Sequence, residues 1–189
     1  MKLNIVITST RPGRIGPVLA DWLYTYAKEN STGFDEIELT DLAALNLPIY
    51  DEPNYPAQQN YVEEHTKKWS QIVANSDAFI FVLPEYNFTA PPAFVNAVDY
   101  LYHEWSYKPA SFVSYGGVSG GLRSVQTAKL ILTTLHVMPI PEQVIVPNVF
   151  GLIQNGTFTA DEHHAQSAQT MIDQLALWAA ALAPLRKAA

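Results

Sequence analysis

The chain has 189 residues, 48% of them hydrophobic, which is enough for one domain with a sizeable core and short for two. It contains no cysteine, which excludes disulfides, thiolate chemistry and iron–sulfur ligation, so any redox role would depend on a bound cofactor. A net charge of -7 argues against a nucleic-acid or anionic-membrane partner, because those partners require a basic surface.

No apolar stretch approaches the roughly 20 residues that cross a bilayer, and the amino terminus lacks the apolar segment of a signal peptide. We therefore expect a cytoplasmic protein with no membrane partner, folded as a single domain over residues 1–189. The adjacent His163 and His164 point to different sides of a predicted helix, and the other histidines have no partner at a metal-ligand spacing. We expect no metal site.

A polar loop joins the first predicted strand to the first predicted helix. Residues 3–7 form a short apolar run, and apolar residues recur at helical spacing over residues 15–26. Free amides at a helix N-terminus favour a phosphate, and Ser9, Arg11 and Arg14 offer further donors beside them. The loop matches neither a P-loop nor the dinucleotide fingerprint. We interpret it as a site for a phosphate monoester; the alternative is an ordinary exposed turn.

Strands and helices alternate along the rest of the chain. Further strands are predicted at residues 34–39, 77–83, 108–114 and 143–149, and helices at 58–75, 89–101, 122–135 and from 159 onward, where Thr159 and Glu162 form a capping-box pattern. The continuous apolar run at 77–83 is typical of a parallel strand buried on both faces. This pattern predicts an α/β fold, a flavodoxin-like, doubly wound, five-stranded parallel sheet of order 2-1-3-4-5 with helices on both faces.

Ligands of such sheets bind at the carboxyl ends of the strands, where three loops of unusual composition should meet. The second of these loops combines a carboxylate, an aromatic ring and an amide in Glu85, Tyr86 and Asn87. The third has four glycines within residues 116–121, which allows its backbone to approach a planar ligand closely. A flat ring that carries a phosphate has the shape of FMN. The alternatives are an ordinary turn for the second loop and a flexible connection for the third.

These three segments, at this spacing, resemble the NADPH-dependent FMN reductase family, which includes quinone, azo-dye and chromate reductases. The resemblance implies bound FMN, NADPH or NADH as co-substrate, and a homodimer or tetramer. The family's phosphate loop is matched by Ser9, Arg11, Arg14, Ile15 and Gly16. The segment along the isoalloxazine is matched by Pro84, Glu85, Tyr86 and Asn87. The segment near the other edge of the ring is matched by Ser114, Tyr115, Gly116, Gly117 and Ser119.

The resemblance further implies an enzyme that moves hydride from a nicotinamide nucleotide to FMN, and electrons onward to a quinone, azo, flavin or metal-oxyanion acceptor, with ping-pong kinetics. No side chain is indicated as a catalytic acid or base. Two alternatives are a flavodoxin-like electron carrier and a low-turnover interaction module. Flavodoxins typically use a threonine-rich phosphate loop without these arginines, which favours the enzyme. Arg123 either meets a nucleotide phosphate or is simply solvated.

Overall fold

In the computed structural model, which describes residues 1–188, a parallel sheet forms the centre of the fold. Its strands are β1 (Lys2–Ile7), β2 (Glu36–Asp41), β3 (Ala78–Pro84), β4 (Pro109–Tyr115), β5 (Met138–Pro139) and β6 (Val144–Val146). The order is β2-β1-β3-β4, and both β5 and β6 pair in parallel with β4. The predicted doubly wound order is confirmed, while a single domain over residues 1–189 stays a prediction.

Two short strands share the fifth position of the sheet. Pro139 and Pro141 lack backbone N–H groups and interrupt the ladder, although Ile140 between them still donates to the carbonyl of Ala110 at 2.9 Å. The strand predicted over residues 143–149 is only three residues long, and Pro147 follows it directly. A 3₁₀ turn (Val149–Leu152) follows, and then a hairpin of β7 (Ile153–Gln154) and β8 (Thr157–Phe158).

The helices cover the sheet from both sides. They are α1 (Gly16–Asn30), α2 (Leu42–Leu45), α3 (Glu64–Ala74), α4 (Pro92–Asp99), α5 (Leu122–Thr134) and α6 (Glu162–Ala188). Strand β3 separates two apolar cores: Ile80 and Val82 pack with α1 and α6, whereas Phe79 and Phe81 pack with α3, α4 and α5. Over residues 1–188, no helix has the length and apolarity needed to cross a bilayer.

Two of the helices on the second face, α3 and α4, begin later than predicted, whereas α5 begins at Leu122 as predicted. Helix α3 begins at Glu64 rather than near residue 58, because Glu52 from the preceding loop accepts hydrogen bonds from the amides of Val62 (2.9 Å) and Glu63 (3.0 Å). This loop, predicted to be irregular, thus caps a helix and also contains α2. Thr89 is not the cap of α4, whose N-cap residue is Pro91.

The last helix is capped by a different pair from the predicted one. Asp161 Oδ1 accepts from the backbone amide of His164 at 2.9 Å, and the amide of Asp161 donates to His164 Nδ1 at 3.3 Å. Hydrogen bonding from the His164 amide lowers the pKa of Asp161. This is a capping box shifted by two residues from Thr159 and Glu162, and it buries His164 against Phe158.

We expect that Asp161→Ala lowers the melting temperature by roughly 2–4 °C, because it removes an N-cap acceptor. Thr159→Ala is the matched control, since among residues 1–188 Thr159 is hydrogen-bonded through its backbone amide alone, to the carbonyl of Leu152. Thermal unfolding followed by circular dichroism measures both variants. Equal melting temperatures for Asp161→Ala and wild type would contradict the assignment of the cap.

Candidate functional site

A cavity of about 500 Å³ lies at the carboxyl edge of the sheet, where the loops after β1, β3 and β4 meet the turn after β6. Ten of the fourteen residues predicted for the site line it: Arg11, Arg14, Ile15, Pro84, Glu85, Tyr86, Asn87, Tyr115, Gly116 and Gly117. The four that do not are Ser9, Gly16, Ser114 and Ser119. The structure therefore brings the three predicted loops together at one place.

The first loop is fixed to the sheet and leads to an uncapped helix. The amide and the hydroxyl of Thr8 both donate to the carbonyl of Val82, at 3.3 and 2.8 Å. A turn at Gly13, whose φ is +71°, then brings the chain to α1, and the N-cap residue Ile15 makes no side-chain capping bond. In the first turn Pro17 has no N–H and the Val18 amide donates to the carbonyl of Ile15 at 3.0 Å, so the amides of Ile15 and Gly16 are the donors left for an anion.

The two arginines of this loop have different environments. The Arg14 guanidinium donates to both carboxylate oxygens of Asp41, at 2.5 Å each, and to the carbonyl of Ser9 at 2.7 Å. Burial acts to raise the pKa of Asp41, but the Arg14 guanidinium and the backbone amides of Ala43 and Ala44 together outweigh it and lower the pKa of that carboxyl. Arg11 is exposed, with its guanidinium 6.0 Å from the centre of the Tyr86 ring. Arg14 therefore anchors the loop to β2, and Arg11 is the arginine presented to the cavity mouth.

Two hydroxyl groups and a glycine meet behind the first loop. The Ser9 hydroxyl is buried and has no hydrogen-bond partner within residues 1–188. A Cβ atom on Gly16 would lie 2.3 Å from Ser9 Oγ and 2.9 Å from the Tyr115 hydroxyl, so a larger residue there would displace these side chains. Burial raises the pKa of Tyr115 to about 12, against the effect of the neighbouring Ser9 hydroxyl. An unpaired buried hydroxyl costs about 1–3 kcal/mol, and it fits a ligand oxygen that would pair with it.

The second loop is a tight turn in a strained conformation. The backbone groups of Tyr86 and Thr89 exchange two hydrogen bonds of 3.0 Å, and the two residues between them, Asn87 and Phe88, have φ values of +49° and +66°. A left-handed conformation is unfavourable for a bulky residue such as Phe88, and strain of this kind is concentrated at functional sites. The turn places Tyr86 and Asn87 on the cavity wall.

Glu85 joins the second loop to the third. Its carboxylate accepts from the Ser119 hydroxyl at 2.9 Å, from the amide of Arg123 at 3.1 Å and from the Arg123 guanidinium at 2.5 Å. The same guanidinium lies 4.0 Å above the ring of Phe88. Ser119 thus positions Glu85 instead of lining the cavity, and Arg123 pairs with Glu85 although its side chain is 49% exposed.

The glycines of the third loop allow close backbone packing. The carbonyls of Gly116 and Gly117 accept from the amides of Val149 (3.1 Å) and Asn148 (2.9 Å). Gly121 has a φ of +84°, and a Cβ there would lie 2.7 Å from a backbone nitrogen, whereas nothing lies within 4 Å of a Cβ built on Gly117. The open side of Gly117 forms part of the cavity wall. Ser114 is buried behind the loop, and its hydroxyl has no partner among the described residues.

The sequence analysis missed two residues of the cavity, Val149 and Phe150, which follow β6. Phe150 is 70% exposed, which is unusual for a phenylalanine held in a hydrogen-bonded turn. The signal was present in the topology: a fifth parallel strand also ends at the carboxyl edge, so its loop belonged with the other three. Within residues 1–188, no group of three His, Asp or Glu side chains is arranged to hold a metal ion.

The chain matches known oxidoreductases along most of its length. The family model described as NADPH-dependent FMN reductase matches residues 1–151. A NAD(P)H-dependent FMN reductase of a Nectria species is 32% identical over 173 residues, which cover 87% of this chain and 86% of the relative. Another, from Schizosaccharomyces pombe, is 35% identical over 158 residues, 78% of each chain. A quinone reductase of Pseudomonas putida is 29% identical over 128 residues, 62% of this chain and 69% of the relative.

Among solved structures, a flavoenzyme NAD(P)H:(acceptor) oxidoreductase from Paracoccus denitrificans superposes with a TM-score of 0.71 at 23% identity. The superposition covers 94% of this chain and 96% of the other, which shows that the two share a fold. The match to the family model and the identity of 32% and 35% to two NAD(P)H-dependent FMN reductases relate the chain to this family by sequence. The chain belongs to the NADPH-dependent FMN reductase family and is an oxidoreductase that uses FMN and NAD(P)H.

Proposed function

We propose that this FMN-dependent NAD(P)H oxidoreductase delivers electrons to small acceptors, namely quinones, azo compounds, free flavins or metal oxyanions, by a ping-pong mechanism. The observation that carries the proposal is the convergence of four loops on one cavity of about 500 Å³. A ring held there leaves little space for two further ring systems at once. The nicotinamide and the acceptor therefore take turns, and the nicotinamide nucleotide leaves before the acceptor enters.

FMN, when bound, supplies the chemistry: it accepts a hydride and passes on its electrons singly or in pairs. The residues of the chain bind the FMN and orient it. We assign the phosphate to Arg11, the amides at the start of α1 and the Ser9 hydroxyl, with Arg14 holding this loop in place. The fit rests on two features of the structure, the uncapped helix and the unpartnered hydroxyl. We assign the flat ring to residues 84–87 and to Gly116 and Gly117.

The walls of the cavity favour a planar, uncharged acceptor. Tyr86 and Phe150 contribute aromatic rings from different loops, and Val149 adds an apolar contact. An aromatic side chain left exposed forgoes the free energy of burial, which a flat ligand stacked against it would restore. Of the proposed acceptors, quinones meet this description best. The quinone reductase among the relatives supports the same choice.

The contacts of Glu85 give the cavity a pH-dependent element. Burial acts to raise the pKa of this carboxyl, but the Ser119 hydroxyl and the two contacts from Arg123 outweigh it and lower the pKa. The unfolded chain then takes up a proton near the ordinary value of 4.5, before the folded chain does. Stability contributed by Glu85 is therefore present above that value and is lost as the pH falls through the folded pKa.

We also propose that the protein is a homodimer or tetramer. The segment between α2 and α3 exposes three large apolar side chains: Ile49 is 90% exposed, Tyr55 79% and Val62 51%. Burial of such side chains against a second copy would stabilise an oligomer by roughly 1.5–3 kcal/mol each. A cytoplasmic location and the absence of nucleic-acid partners stay predictions from the sequence.

The test of the proposed function is an anaerobic reaction in two separate halves. FMN-loaded, desalted protein should lose its visible flavin absorbance within seconds of adding NADPH or NADH, and should regain it when a quinone is added without any nucleotide present. Steady-state rates with both substrates varied should give parallel double-reciprocal lines. Intersecting lines would contradict the ping-pong order, and failure to reoxidise with every acceptor class would contradict the acceptor proposal.

Glu85→Gln should destabilise the protein by about 1 kcal/mol or more at neutral pH, because it removes a charged acceptor of three hydrogen bonds. As the pH falls below about 4.5, the deficit should shrink, since the wild-type carboxyl also loses its charge. Melting temperatures across this pH range measure the effect. Glu29→Gln, at an exposed position on α1, is the control, and its melting temperature should follow that of wild type at every pH. A loss of stability in Glu85→Gln that did not change with pH would refute the role of ionised Glu85.

Light scattering coupled to gel filtration should give two or four times the chain mass of 21.0 kDa. Ile49→Glu should reduce that mass, because it places a charge in the proposed contact. Leu130→Glu, at a side chain 72% exposed on α5, is the matched control and should leave the mass unchanged. A monomeric wild-type protein would refute the oligomer.

A further inference from the structure

We propose that the Tyr115 hydroxyl belongs to the phosphate end of the FMN site and makes the protein prefer FMN to riboflavin. The resemblance to the family placed Tyr115 near the edge of the flavin ring, in a different part of the site. This inference rests on the proposed assignment of the first loop to the phosphate. It adds to that assignment a donor that β4 contributes.

The direction of the side chain is the first observation. Tyr115 ends β4, and its ring packs in the core formed by α1, α6 and one face of the sheet. The hydroxyl consequently reaches the beginning of α1, where it would lie 2.9 Å from a Cβ atom on Gly16. Ser9 Oγ adjoins the same point. The tip of Tyr115 thus lies at the helix start that we assign to the phosphate, while the ring lines the cavity.

The state of the hydroxyl is the second observation. With its pKa raised to about 12 by burial, Tyr115 keeps its proton at neutral pH and can donate a hydrogen bond to an anion. The charges of Arg11 and Arg14 act in the opposite direction, and both residues line the same cavity as Tyr115. The phenol is therefore a neutral donor inside the positive part of the first loop.

The balance of charge is the third observation. Asp41 neutralises Arg14, so the loop presents Arg11 as its exposed cation to a phosphate that carries up to two negative charges. The chain as a whole has a net charge of -7, so its overall field opposes the anion. Local donors must compensate, and the hydroxyls of Ser9 and Tyr115 lie beside the helix start, where they can do so.

A matched comparison of two flavins tests this inference. Apoprotein is titrated with FMN and with riboflavin, which lacks only the phosphate, and the quenching of flavin fluorescence gives both Kd values. Tyr115→Phe, which keeps the ring, should raise the Kd for FMN roughly tenfold or more, the range for a hydrogen bond to a charged group. The Kd for riboflavin should stay the same. The phosphorus NMR resonance of bound FMN should also shift in this variant.

Tyr26→Phe is the control, because it removes a hydroxyl that bonds Gln169 outside the cavity at 3.2 Å. It should leave both Kd values and the phosphorus resonance unchanged. Equal weakening of FMN and riboflavin by Tyr115→Phe would place the hydroxyl on the ribityl chain and overturn the inference, as would two unchanged Kd values. If wild-type protein did not prefer FMN to riboflavin, the assignment of the first loop would fail instead. Melting temperatures confirm that each variant is folded.

Discussion

The parallel register of β1, β3 and β4 is the constraint on which the site depends. Ile7 pairs with Val82, and Val82 with Val113, so the three strands end at the same edge of the sheet. The register is firmly set because β3 is buried on both faces. A slip of one residue would exchange its aromatic side chains with the smaller aliphatic ones that face α1 and α6. Three polar loops therefore leave the sheet side by side.

Two arginine–carboxylate pairs turn these loops into a rigid frame. Arg14 with Asp41 fastens the first loop to β2, and Arg123 with Glu85 fastens the third loop to the second. Partly buried pairs of this kind contribute little net stability, because desolvation offsets the attraction, but they strongly disfavour arrangements in which one partner is left unpaired. Their main effect is on geometry. They also balance two of the positive charges near the cavity and leave Arg11 exposed at its mouth.

These two pairs also show where prediction from the sequence ends. Ten of the fourteen site residues that the resemblance to the family implied line the cavity. The strands, their order and the three loops could be predicted, because apolar runs and loop composition are local signals. The role of Arg14 could not, since its partner lies 27 residues away, and that of Arg123 depends on a residue 38 positions before it. The predicted N-cap of α6 was wrong for another reason. Thr159 and Asp161 are both suitable N-cap residues, and the pairing of Asp161 with the buried His164 distinguishes them in the structure.

The groups around the cavity suit a site whose charge stays constant while electrons move through it. None of the five histidines lines the cavity, the pKa of Glu85 is lowered and that of Tyr115 is raised to about 12. Neither carboxylate nor phenol therefore changes protonation near neutral pH. It follows that the protein contributes a fixed electrostatic environment, in which the state of the bound molecules alone changes during the reaction. Strain at Phe88 and close packing at Gly121 serve the same end, because both hold backbone groups in positions that a more relaxed loop would not keep.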